Sequence, residues 1–164
     1  MAQVAFSLGS NVNPEPNLRL GVAELERRFG PLVLSPVYRS RAAGFDGADF
    51  LNLVALAETD TGPHAVQQEI ERIHALAGRR RGGERFASRP LDIDLLLHDG
   101  LVIDEPGLKL PRADILEYSF VLGPLADVAP DYVHPVTGRT MARHWADFDR
   151  ASHPLKKIDG ILPR

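Results

Sequence analysis

The stretch Pro90-Leu91-Asp92-Ile93-Asp94-Leu95-Leu96-Leu97 sets two carboxylates one residue apart in an otherwise apolar run. The spacing predicts a β-strand, because successive strand side chains turn to opposite faces. Asp92 and Asp94 then share one face, while Leu91, Ile93 and Leu95 fill a core on the other. Neighbouring carboxylates repel each other and resist desolvation unless a counter-charge is supplied. A hard divalent cation with oxygen ligands, Mg²⁺ first among them, supplies one. The pair alone also fits an edge strand whose charges block aggregation beside a solvated basic loop. The arginines just upstream weigh against that: Arg79, Arg80, Arg81, Arg85 and Arg89 offer forked donors suited to polyphosphate. Cation and polyphosphate together point to nucleotide chemistry.

Working outward, the chain alternates strands and helices with no linker or internal repeat. Val4 to Leu8 reads as a first strand ending in the turn cluster Gly9-Ser10-Asn11. Leu18, Val22, Leu25 and Phe29 recur at helical spacing, with Asn17 as the expected cap and Gly30-Pro31 as the stop. Leu32 to Ser40 and Phe50 to Thr59 read as two further strands. Pro63 to Ala77 reads as a second helix with Val66, Ile70, Ile73 and Ala77 on its apolar face and Gly78 closing it. The arginine loop leaves this helix and leads into the aspartate strand. Asp99-Gly100 then signals a hairpin into Leu101-Val102-Ile103. This order predicts an α+β fold, a ferredoxin-like αβ sandwich with helices on one face of a largely antiparallel sheet and the other face open to ligand. Beyond Pro111, a short helix is expected over Ile115 to Tyr118, Phe120 to Ala126 as a core segment, and a final short helix anchored by Trp145. The tail 149–164 is polar, carries Pro154 and Pro163, and receives no assignment.

At 164 residues, with 44% hydrophobic and 25% charged, the chain suits a single domain with a sizeable core. The absence of cysteine excludes disulfides and thiolate metal sites and fits a reducing compartment, so the cytoplasm is expected. No apolar run has the length of a membrane span, and Met1 to Leu8 lacks the basic start and apolar core of a signal peptide. A net charge of −3 gives no global pull on nucleic acid or anionic membrane, so the arginine cluster reads as a local site for a small anion.

Five segments together carry a family resemblance. They are Phe6-Ser7-Leu8-Gly9-Ser10-Asn11, Ser35-Pro36-Val37-Tyr38-Arg39-Ser40, Phe50-Leu51-Asn52, the run from Arg85 to Leu97, and the run from Phe120 to Pro130. In this order they resemble the 6-hydroxymethyl-7,8-dihydropterin pyrophosphokinase family of folate biosynthesis, with the Leu91-to-Leu97 segment the most specific. The resemblance implies transfer of pyrophosphate from ATP to the pterin hydroxymethyl group, with release of AMP. It implies that Asp92 and Asp94 hold two Mg²⁺ ions, and that Arg89 clamps phosphate when its loop closes. It further implies nucleotide contacts from Arg79, Arg81 and Arg85, pairing of Asn52 with the polar edges of the pterin, and a ring sandwich between Phe50 and Phe120. Ser40 is a further candidate for contact with the pterin, and Phe86 for a hydrophobic lid. A monomer acting on small molecules is expected.

The departures from the family pattern are equally specific. Phe86-Ala87-Ser88 stands where Trp-Gly-Pro is usual, Arg112 where His is common, and Tyr118 where Arg is usual. His74 takes the place of a glutamate, and Arg41-Ala42-Ala43 replaces a Pro- and Leu-containing pterin loop. Arg112 thereby becomes a candidate nucleotide contact. The loop change also suits a pyrophosphokinase acting on a related, modified pterin, and a non-catalytic pterin-binding paralogue is a third possibility. Retention of both aspartates favours catalysis, because binding alone does not require two metal ions. The six histidines lack HExxH spacing, and neither a Walker-type nor a GxSxG motif occurs. An RNA-binding ferredoxin-like domain would carry aromatic RNP motifs and a basic balance, which this chain lacks.

Overall fold

A computed structural model describes residues 1–41, 48–78 and 90–162. In chain order the elements are β1 (Ala2–Ser10), α1 (Pro14–Phe29), β2 (Val33–Leu34), β3 (Val37–Ser40), β4 (Phe50–Thr59), α2 (Pro63–Leu76) and β5 (Asp92–His98). They continue with β6 (Ile103–Glu105), β7 (Leu108–Leu110), α3 (Asp114–Glu117), α4 (Ser119–Val128), α5 (Met141–Asp147) and β8 (Lys156–Ile158). The main sheet is ordered β5-β1-β4-β3-β8, with β2 also on β4, and every pairing in it is antiparallel. The expected α+β, ferredoxin-like arrangement is therefore present.

One core lies between the sheet and the helices α1 and α2. Val4, Phe6 and Leu8 of β1, Leu53 of β4, and Ile93 and Leu95 of β5 meet Leu18, Leu25 and Phe29 of α1 and Val66, Ile70 and Ile73 of α2. The helical periodicities select these faces, and Phe6 stacks on Phe29 with centroids 5.5 Å apart. A second core forms on the opposite face, where Ala5, Val54, Leu56, Leu96 and Leu97 pack against Ile115 of α3, Val121, Leu122 and Leu125 of α4, and Met141 of α5. That face is thus covered in part. Its aspartate end is left to Ser7, Gly9, Asn52, Asp92 and Asp94.

Several local expectations are corrected. The helix after β1 starts at Pro14 behind Asn13, and Asn17 instead sends its amide back to the Val12 carbonyl at 2.8 Å. Proline fits this first turn because its missing N–H has no helical partner there. β1 continues through Gly9 and Ser10, which pair with β4 instead of turning. The strand expected over 32–40 is broken at Ser35-Pro36, where the Ser35 hydroxyl accepts the Val54 N–H at 2.9 Å. No hairpin returns from Asp99-Gly100 onto β5. Ile103–Glu105 pairs with Leu108–Leu110 across Pro106-Gly107, and Gly107 takes the positive φ of 81° that the turn requires. α2 ends as expected, with Gly78 at φ 80° just past it. The unassigned tail supplies β8, which pairs with β3, and Ile158, Ile161 and Leu162 pack against the first core.

A bulge on β5 shapes the site. Ala5 pairs with Leu97 but Phe6 with Leu95, so Leu96 is an extra residue and both Leu96 and Leu97 join the second core. The Leu96 carbonyl accepts the Arg112 backbone N–H at 3.0 Å, which fixes where Arg112 begins.

Candidate active site

The sheet register brings Asp92, Asp94, Asn52, Phe50 and Ser40 onto one end of the sheet. Gly9 on β1 lies opposite Asp92 of β5 on one side and Asn52 of β4 on the other, and Asn52 lies opposite Tyr38 of β3. Residues directly opposite in antiparallel strands share a face, so Asp92, Gly9, Asn52 and Tyr38 form one row across the sheet. Asp94 lies opposite Ser7, and Phe50 opposite Ser40, in flanking rows.

Gly9 is glycine for a local reason. A Cβ there would sit 2.6 Å from Asn52 Nδ2 and 3.8 Å from Phe50 Cδ1. Asn52 is buried, and its Oδ1 accepts a hydrogen bond from Ser40 Oγ at 3.3 Å. That bond assigns the amide orientation and leaves Nδ2 over Gly9. Asn11 Nδ2 donates to the Ala48 carbonyl at 3.1 Å and so ties the end of β1 to the chain entering β4 at Phe50. Phe120, at the start of α4 and half-buried, stacks on Tyr118 with centroids 4.9 Å apart and planes at 20°. Tyr118, which replaces the family's usual arginine, therefore acts as a wall behind Phe120.

Asp92 and Asp94 are both half-buried. Arg112 places Nη2 3.4 Å from Asp94 Oδ1 and Nε 3.4 Å from Asp114 Oδ2. Burial pulls its pKa down, but the carboxylates of Asp94 and Asp114, with Asp92 beyond them, outweigh burial and hold it above the ordinary arginine value. The Nε–H is buried, with the Asp114 carboxylate beside it. Arg112 is thus a counter-charge to Asp94 among the described residues.

The donor set fits Mg²⁺. Among the described residues no group of three or more His, Cys, Asp or Glu could hold a metal. Two carboxylates on one face are what Mg²⁺ accepts from a protein when phosphate oxygens and water complete its octahedron.

Arg79, Arg81, Arg85, Phe86 and Arg89 lie outside the described residues, as do Ala42 and Ala43. Arg41, just past β3, is exposed. Three contributors escaped the sequence reading: Gly9 as the floor under Asn52, Tyr38 as the donor to the Asp127 carboxylate of α4, and His74 as acceptor of the Ile93 N–H at 2.8 Å. Burial first and then the Asp127 carboxylate push the Tyr38 phenol well above its ordinary pKa, so it stays protonated and ties β3 to α4. Only the cross-strand register could have identified Gly9 in advance.

The family model for 7,8-dihydro-6-hydroxymethylpterin-pyrophosphokinase matches residues 5–130. The chain is 34% identical over 140 residues to the 2-amino-4-hydroxy-6-hydroxymethyldihydropteridine pyrophosphokinase of Aquifex aeolicus, covering 83% of this chain and 86% of that one. It is 33% identical over 153 residues to the enzyme of the same name from Methylorubrum extorquens, covering 91% and 95%. The crystal structure of Plasmodium falciparum HPPK-DHPS superposes with a TM-score of 0.72 at 14% identity, over 89% of this chain. This chain spans only 44% of that longer one, and the likeness concerns the fold. With a family model over most of its length and relatives above 30% identity, the chain belongs to the 7,8-dihydro-6-hydroxymethylpterin-pyrophosphokinase family.

Proposed function

We propose that this chain carries out the family's reaction, transfer of pyrophosphate from ATP to the hydroxymethyl group of 6-hydroxymethyl-7,8-dihydropterin in folate biosynthesis, with Asp92 and Asp94 as the ligands of two Mg²⁺ ions. The observation that carries the reading is the register, which aligns Asp92, Gly9 and Asn52 on one row and so sets the carboxylates beside the amide suited to a pterin edge. When bound, Mg²⁺ neutralises charge on the phosphate oxygens. Asp92 and Asp94 would hold it through their carboxylate oxygens. Asn52, its carbonyl held by Ser40, offers the pterin an N–H donor and a remaining acceptor lone pair. Phe50 and Phe120 bracket the ring, and Phe86 covers it. Arg79, Arg81, Arg85 and Arg89 bind the polyphosphate, and Arg112, already at Asp94, adds donors to it. Held in line, the hydroxymethyl oxygen forms a bond to the β-phosphorus as the bond from that phosphorus to the α,β-bridging oxygen breaks, AMP leaves with that oxygen, and the hydroxyl proton passes to solvent.

A single domain over 1–164 belongs to the same reading, and β8 supports it by returning the tail to the main sheet. A cytoplasmic monomer belongs to it as well, in keeping with a cysteine-free chain; among the described residues no helix is long and apolar enough to cross a membrane. The decisive experiment incubates the protein with Mg-ATP and 6-hydroxymethyl-7,8-dihydropterin and separates the products. Pyrophosphorylated pterin with stoichiometric AMP, abolished by chelator, is expected. ADP with a monophosphorylated pterin, or pterin binding without turnover, would overturn the proposal.

A further inference from the structure

We propose that His74 is a positioning residue of the metal site, acting through the backbone between the two aspartates. The inference rests on the assignment of Asp92 and Asp94 as metal ligands. β5 is the last strand on its side of the sheet, and alternate residues of such a strand turn their N–H groups away from the neighbouring strand. Ile93 is one of these, and it sits between the aspartates. Its N–H donates to His74 Nε2 at 2.8 Å. His74 is 3% exposed and belongs to α2, which Val66, Ile70 and Ile73 press into the first core.

Because Nε2 accepts, the ring proton of the neutral imidazole sits on Nδ1, which lies 3.6 Å from Glu71 Oε2. The imidazole is therefore oriented through Nε2 by the Ile93 N–H, with the Glu71 carboxylate near its other end. Its effect is geometric. The Ile93 side chain is locked in the core on one face at 1% exposure, and the Ile93 peptide is locked at the strand edge by His74. Together these two constraints fix the pleat from which Asp92 and Asp94 project to the other face, and with it the relative aim of their carboxylates. An apolar side chain of similar volume could fill the space at position 74, but it would leave a buried N–H unpaired and the pleat free to shift.

The test compares His74→Met, which fills space without an acceptor, with His74→Gln, whose Oε1 can take the place of Nε2. Mn²⁺ affinity is read by electron paramagnetic resonance in the presence of a non-hydrolysable ATP analogue, alongside kcat and pterin KM. His74→Met should weaken Mn²⁺ binding and lower kcat by about 10-fold each, the usual effect of losing a group that orients a metal ligand, with pterin KM within about twofold of wild type. His74→Gln should restore most of both. If circular dichroism shows the Met variant unfolded, His74→Asn, which is polar but too short to reach Ile93, replaces it with the same expectation. Wild-type Mn²⁺ affinity and kcat in the acceptor-free variant, or equal impairment of the Gln variant, would reduce His74 to packing. Asp92→Asn is measured in parallel: if it binds Mn²⁺ as wild type does, the metal assignment itself fails, and this inference with it.

Discussion

Arg112 faces Asp94 at 3.4 Å and feels Asp92 more weakly, so neutralising Asp94 removes the Arg112 ion pair directly. Asp92→Asn and Asp94→Asn should each lower turnover by at least ~10²-fold, as expected when transition-state charge loses its stabilising cation. Without metal, Asp92→Asn should leave the melting temperature level or raise it, because like-charge repulsion is relieved. Asp94→Asn should cost less than about 1 kcal/mol, since the Arg112 side chain is 38% exposed and its ion pair is screened. Product assays and thermal melts in chelator check both; wild-type turnover in both variants would remove the metal assignment. Gly9→Ala probes the pterin side of the same row. Its methyl would meet Asn52 Nδ2 at 2.6 Å, so pterin affinity should fall by about 10-fold or more through the misdirected amide, the order expected when about 1.4 kcal/mol of pairing is lost. Fluorescence titration with the pterin reads this, and unchanged affinity would remove Asn52 from the binding set.

The segment that brings α5 onto α4 contains a pH-sensitive connection. His134 Nδ1 accepts the backbone N–H groups of Val136 and Thr137, both at 3.2 Å, and its ring meets that of His144 edge-on with centroids 5.6 Å apart. Burial, then the neighbouring His144, holds the His134 pKa below 6.5, and burial followed by Arg139 lowers that of His144. A histidine depressed in the fold contributes stability that is fully present above its unfolded pKa and is lost as the pH falls through the folded value. Protonated Nδ1 could not accept either N–H. The melting temperature should therefore decline as the pH drops below about 6.5. His134→Asn, whose Oδ1 can accept the same two bonds but does not titrate, should flatten the profile, and an unchanged slope would refute the link. α5 matters to the site because Trp145 packs on Gly123 of α4, where a Cβ would come within 3.0 Å of the indole, and α4 carries Phe120.

Across the molecule, the tail closes the sheet on the β3 side. β8 pairs with Val37, Tyr38 and Arg39, Ile158, Ile161 and Leu162 reach the first core, and Arg19 Nε donates to the Ile161 carbonyl at 3.0 Å. Leu155 also approaches Gly123. Ending the chain at Phe148 removes these partly buried side chains and uncovers the edge of β3. At about 1 kcal/mol for each of these four, the loss is roughly 4 kcal/mol, or a fall in melting temperature of about 8–16 °C for a chain of this length. Thermal unfolding of the shortened chain measures it, and a loss under about 2 °C would show that β8 is dispensable.

Element types and the family follow from the sequence because they depend on local chemistry: period-2 alternation in Leu91 to Leu95, helical spacing from Leu18 to Phe29, glycine past each long helix. Boundaries and partners were less accessible. The hairpin expected at Asp99-Gly100 moved to Pro106-Gly107 because turn chemistry does not say which strands it joins. Phe120 to Ala126 is a helix despite Gly123-Pro124, since the second core outweighs local propensity. Asp92, Asp94 and Asn52 could be nominated from residue type and motif. Their alignment through Gly9, the attachment of Arg112 to Asp94 and the support of Ile93 by His74 depend on register, on the Leu96 bulge and on helix placement. Those are contacts between residues distant in the chain, and only burial of the two apolar faces of the sheet selects among the pairings that local preferences allow.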